Sequence, residues 1–154
     1  NLFIFALISE IPFSMMLGDL GNFQYQNTLF TLLLGYLAIW GMEHFRDRII
    51  LQILCALSSM WVAYFLHTDY DWRGILLILI LYLFHDRRNT QVILAGISLL
   101  WEWKACFSMI YIRLYNGKRG FLKGKFGKYF FYCYYPLHMV LLIILRYFIL
   151  GFAH

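Results

Sequence analysis

Three places in this sequence hold residue types that could do chemistry. The first is His138, in the run Tyr129-Phe-Phe-Tyr-Cys-Tyr-Tyr-Pro-Leu-His138, which continues into the apolar stretch Met139–Leu145. Nine residues beyond Tyr129 is roughly 14 Å along a helix, close to mid-bilayer if that helix crosses a membrane. An ionisable side chain at such depth faces other protein, and imidazole exchanges a proton near neutral pH. Pro136 removes one helical hydrogen bond and leaves the carbonyl of Tyr132 open near the same place. Tyr129, Tyr132 and Tyr135 precede the histidine at steps of three, a slowly drifting stripe of hydroxyls. The competing reading is a neutral ring bonded to a neighbouring helix for packing alone.

Glu10 is the second place, a carboxyl within an apolar run and two residues before Pro12. A carboxylate there must pair with a cation or hold a proton. His138 or an arginine is the expected partner, and a purely structural ion pair is the alternative. The third place is Asn116-Gly-Lys118-Arg119-Gly120. Arginine suits bidentate phosphate binding, lysine adds a point charge, and glycines let a ligand approach the backbone. The spacing is not that of a Walker loop, and composition alone favours a basic juxtamembrane loop lying on anionic lipid.

The surroundings of these residues are apolar. Of 154 residues, 62% are hydrophobic, 21% aromatic and only 14% charged, against about 25% charged in a soluble domain. Most of this surface therefore faces something other than water, and the expected class is an all-α, polytopic transmembrane bundle. The net charge of +5 sits in a few short loops, which points to orientation and headgroup contact and away from nucleic acid. Cys55, Cys106 and Cys133 lie singly in apolar segments with no metal-ligand or CxxC spacing, so they read as free thiols and no metal is expected.

Apolar runs predict spans over Asn1–Leu17, Thr28–Met42, Ile49–Leu66, Gly74–Phe84 and Lys128–Phe152. The segment 91–112 is harder, because Glu102 and Lys104 sit at its centre. Loops 43–48 and 85–90 each carry two Lys or Arg, loop 18–27 none, loop 67–73 one and loop 113–128 six. The positive-inside rule puts 43–48 and 85–90 in the cytoplasm. A single crossing by 91–112 would put the most basic loop outside. A hairpin turning back near 101–105 removes both conflicts, provided protein shields the turn, and gives six to seven membrane segments in one domain, 1–154. The sequence opens at Asn1 inside an apolar run, so the chain is expected to be the larger, C-terminal part of a longer protein.

Four motifs add what physics does not. Phe5-Ala-Leu-Ile-Ser-Glu-Ile-Pro-Phe13, Asn27-Thr-Leu-Phe-Thr-Leu-Leu-Leu-Gly35, Tyr115-Asn-Gly-Lys-Arg-Gly120 and Lys128-Tyr-Phe-Phe-Tyr-Cys-Tyr-Tyr-Pro-Leu-His138 occur in this order. Together they resemble the TraX family of bacterial inner-membrane proteins, named for a conjugation protein that N-acetylates pilin and placed in a broad clan of membrane acyltransferases. The family normally begins with two further helices, one carrying an Asp-His pair, and neither is in this sequence. The resemblance implies acetyl transfer from acetyl-CoA as co-substrate to a peptide N-terminus, a glycan or a lipid. It further implies that Asn116, Lys118 and Arg119 hold the CoA phosphates, while His138, Tyr135 and Glu10 line the acyl path or move protons. The alternative is a non-enzymatic membrane protein, a small carrier or a subunit of a membrane complex.

Overall fold

Polar clusters such as Phe45–Arg48 and His67–Tyr70 interrupt the long apolar runs, and between them the chain forms helix. The computed structural model describes residues 1–17, 25–115 and 124–151. Its helices are α1 (Leu2–Leu17), α2 (Thr28–His44), α3 (Ile49–Phe65), α4 (Asp71–Leu83), α5 (Arg88–Ser98), α6 (Trp103–Cys106), α7 (Ser108–Leu114) and α8 (Gly124–Gly151), with a 3-10 turn at Leu100–Glu102 between α5 and α6. No strand occurs among the described residues. The chain divides into two compact units, one of Asn1–Phe30 with Arg119–His154 and one of Thr31–Lys118.

In the second unit the helices run as an up-and-down meander. Gly74 lies against Thr31 and Gly35 against Ile78, so α2 and α4 are parallel, with α3 between them in sequence and antiparallel to both. Small residues make this packing close. Ala38 and Ala63 are fully buried with Ile75 and Leu79, and Gly41 meets the Cys55 thiol. Small residues at contacts suit membrane helices, which gain little from the hydrophobic effect and much from close approach. His67, at φ 49°, ends α3 by directing its own N–H to the Tyr64 carbonyl and that of Thr68 to the Ala63 carbonyl, so the last carbonyls of the helix are satisfied.

The segment 91–112 does fold back on itself. Ala95, Leu99 and Met109 form one buried cluster, Arg113 donates to Asn89 Oδ1 at 2.6 Å, and Arg88 donates to the carbonyl of Tyr115. The turn is not at mid-helix depth. Trp101 packs on Tyr70 and under the guanidinium of Arg73, so Glu102 and Lys104 lie level with the start of α4. The other end of the unit carries Arg46, Arg48, Arg87, Arg88 and Arg113, and there Tyr82 donates to Glu43 and Gln91 to the Leu81 carbonyl.

One helix among the described residues, α8 over Gly124–Ile149, is long and apolar enough to cross a membrane. Its 26 residues extend roughly 39 Å, beyond the ~30 Å hydrocarbon core. The helices α1 and α3 are apolar but shorter. The expected start of the last span also moves: α8 begins at Gly124, at φ 72°, so Lys125 and Lys128 belong to the helix and not to the loop. Aromatic and branched side chains face outward from most helices, among them Trp61, Phe65, Phe131 and Tyr147, which suits a surface bathed in lipid.

Candidate functional site

The first unit is built on α1 and α8 packed side by side. Phe5 stacks on Tyr132 with ring centroids 5.1 Å apart, and further along both helices Arg146 donates to the Met16 carbonyl at 3.0 Å. Both contacts advance in the same sense, so the two helices are parallel. The second also places a cation on the carbonyl end of α1, where the helix dipole favours it.

Along α1 the buried face repeats at Ala6, Ser9, Glu10 and Phe13, the spacing of one helical stripe. Glu10 is only 6% exposed, and its partner is neither His138 nor an arginine, as the sequence led us to expect. Glu10 Oε2 accepts from Asn27 Nδ2 at 2.6 Å and from the Asn27 backbone N–H at 3.3 Å. Asn27 is fully buried and fully used. Its amide also donates to the Ala6 carbonyl at 2.8 Å, and its Oδ1 accepts from the backbone N–H of Leu29 at 3.0 Å. That last bond is an N-cap on α2. A neutral amide can thus hold the carboxyl because it must stand at this helix start for another reason. Glu10 Oε1 and Ser9 Oγ, both buried, have no hydrogen-bond partner among the described residues.

The backbone N–H of Thr28, next to Asn27, points to the Tyr135 hydroxyl at 3.4 Å. Tyr135 in turn meets His138 edge-on, ring centroids 5.5 Å apart, while Tyr134 stacks on the same ring at 5.4 Å and 16°. His138 Nδ1 lies 3.1 Å from the Tyr134 carbonyl oxygen. A carbonyl only accepts, so Nδ1 carries the proton, and in the neutral ring Nε2 is then the basic nitrogen. The expected stripe of three hydroxyls splits, because steps of three drift round the helix. Tyr132 turns to Phe5 and Tyr135 to Thr28, while Tyr129 is exposed.

Of the residues singled out from sequence, Tyr135 and His138 touch, and Glu10 joins them only through Asn27 and Thr28. Asn116, Lys118 and Arg119 lie outside the described residues. Among the described residues no group of three His, Cys, Asp or Glu side chains could hold a metal ion. Cys55, Cys106 and Cys133 are free thiols, half-buried. Asn27 is the residue that sequence reasoning passed over. Its signal was present, an asparagine directly before a long apolar run.

The TraX protein family matches the sequence over residues 1–146. The chain belongs to the TraX family. The matched stretch takes in Glu10, Asn27, Tyr135 and His138, and ends at Arg146, the residue that caps α1. No curated protein and no solved structure matches this TraX chain.

Proposed function

We propose that this TraX chain is a multi-pass protein of the bacterial cytoplasmic membrane that transfers an acetyl group from acetyl-CoA to a membrane-proximal acceptor, with a peptide N-terminus the first candidate and a glycan or lipid the others. Beyond family membership, one observation carries the reading. His138 is oriented by its own helix so that Nε2 is the basic nitrogen, with the half-buried ring in contact with two tyrosine rings. In the reaction Nε2 takes the proton of the acceptor amine or hydroxyl as that group attacks the thioester carbonyl. The new C–N or C–O bond forms, the C–S bond breaks, and the proton passes to the departing CoA sulfur. Tyr135 and Tyr134 keep the ring in place. Glu10, held by Asn27, fixes α1 to the start of α2 and so holds Thr28 against Tyr135. Lys118 and Arg119, with Asn116, are assigned to the CoA phosphates because they precede α8 in sequence and supply the charge that phosphates require.

The parallel course of α1 and α8 supports the proposed topology, in which both run outward. An odd number of crossings between α1 and α8, which a single pass by 91–112 would not give, would make them parallel only with the hairpin in place. The gathering of arginines at one end of the second unit supports the same orientation. The test is acetyl transfer by the full-length protein in proteoliposomes, normalised to folded material. His138→Gln retains size and hydrogen bonding but not proton exchange, so activity is expected to fall about 100-fold, the usual scale of general acid–base catalysis. A fully active, folded glutamine variant would overturn the catalytic role. Absence of any acetyl transfer by the unaltered protein would favour the carrier or complex subunit, a reading helped by the bonding of Glu10 to a neutral amide.

A further inference from the structure

The arginine-rich end of the second unit holds a cavity of about 410 Å³ between the C-terminal ends of α2 and α4. Its charged walls are Glu43 and Arg46, and its apolar floor is Met42 and Leu83. These two charges are three residues apart, near enough for a local ion pair, yet none forms. Glu43 is turned instead to Tyr82, whose hydroxyl donates to Oε1. Arg46 is held from the backbone side, because Gln52 Nε2 donates to the carbonyls of Phe45 and Arg46 at 3.2 and 2.7 Å. His85, also on the wall, has both nitrogens engaged, one by the Tyr82 carbonyl at 2.9 Å and one by Asp86 at 3.0 Å. The Glu43 carboxylate and the Arg46 guanidinium therefore line the same small space without pairing with each other.

We propose that this cavity takes a phosphoethanolamine headgroup of a membrane phospholipid, with the ammonium on Glu43 and the phosphate on Arg46. A zwitterion satisfies both walls at once. An anionic headgroup would meet the Glu43 carboxylate, and a trimethylammonium has no N–H to give it. Met42 and Leu83 suit the glycerol and first methylenes, and the exposed Ile49 and Ile50 beside the turn offer a path for acyl chains. The assignment of a lipid source rests on the membrane placement and is independent of the acetyl-transfer reading.

The test titrates the full-length protein in detergent with dihexanoyl phosphatidylethanolamine, the matching phosphatidylglycerol and phosphatidylcholine, and free phosphoethanolamine, following thermal unfolding and tryptophan fluorescence. The ethanolamine lipid is expected to bind at least about tenfold tighter than the other two lipids, the worth of one charge-assisted hydrogen bond. Glu43→Gln keeps an acceptor for Tyr82 and should abolish that preference. Arg46→Gln should weaken all three lipids. Both side chains are exposed, so folding is expected to be unaffected. Equal or tighter binding of phosphatidylglycerol, or a preference that survives Glu43→Gln, would overturn the site. Free phosphoethanolamine binding as tightly as the lipid would overturn the lipid source.

Discussion

The two units of this protein differ in how polar their interiors are, and among the described residues only the first buries a carboxyl and an amide. In the unit of α1 and α8, four of the buried residues are Ser9, Glu10, Ser14 and Asn27. In the meander from α2 to α7 the interior is Ala38, Ala63, Ile75, Leu79, Ala95, Leu99 and Met109, with the hydroxyls of Thr31 and Thr68 the buried polar groups among the described residues and the charges kept to the helix ends. An apolar interior of small residues is the direct solution to packing helices in lipid. A polar one is not, since each buried carboxyl or hydroxyl costs free energy unless it is bonded. Where both solutions occur in one chain, the costly one marks the part in which packing is not the whole task.

That contrast can be broken by mutation. The largest effect is expected at Asn27. Replacing it by leucine removes the 2.6 Å side-chain donor of the buried Glu10 carboxyl, leaving only the backbone N–H at 3.3 Å, and also removes the cap on α2, a combined loss of about 3 kcal/mol. The measurement is the unfolding midpoint of purified protein in mild detergent. Adding Glu10→Leu to Asn27→Leu should recover part of the loss, since a pair that acts together is not additive. An unchanged midpoint in the single variant would mean that the polar interior is incidental.

A smaller effect is expected in the meander. A Cβ at Gly74 would lie 2.6 Å from Thr31 Cγ2 and 2.6 Å from Tyr70 Cβ. Gly74→Ala should therefore cost about 1–3 kcal/mol by overpacking, read from the same midpoint, with acetyl transfer per folded molecule unaltered. Loss of specific activity beyond the loss of folded protein would erase the division of labour between the units. The smallest effect belongs to the rim of the hairpin. Arg113→Ala removes the exposed bond to Asn89 and should shift stability by less than about 1 kcal/mol. A larger shift would show that the hairpin is held from its basic end and not by Ala95, Leu99 and Met109.

Much of the helix layout was legible because helix is the only local solution for apolar runs of this kind. The runs predicted at 28–42 and 49–66 became α2 and α3 with ends shifted by one or two residues, and α4 starts at Asp71, three residues before the expected Gly74, so that it takes in Trp72 while Tyr70 stands just before it. The hairpin was legible through charge, since one pass would have stranded the basic loop. The site was less so. Sequence displays charges, and so Glu10 was matched to histidine or arginine. Its real partner is a neutral asparagine whose position is fixed by capping α2. The bond of His138 was equally hidden, because it goes to a carbonyl one helical turn back, and every residue has a carbonyl.

The parallel pairing of α1 with α8 also sets an order of events during synthesis. Glu10 and Asn27 are 17 residues apart, whereas Thr28 and Tyr135 are separated by 107. At 5–20 residues per second the ribosome needs roughly 5 to 20 s to cover the second distance, against roughly 1 to 3 s for the first. The carboxyl of α1 can thus be covered by Asn27 while the meander is still being made and long before α8 arrives. A nascent chain stalled just after α2 has emerged would already hold that bond, and α1 could wait for its late neighbour without an exposed charge.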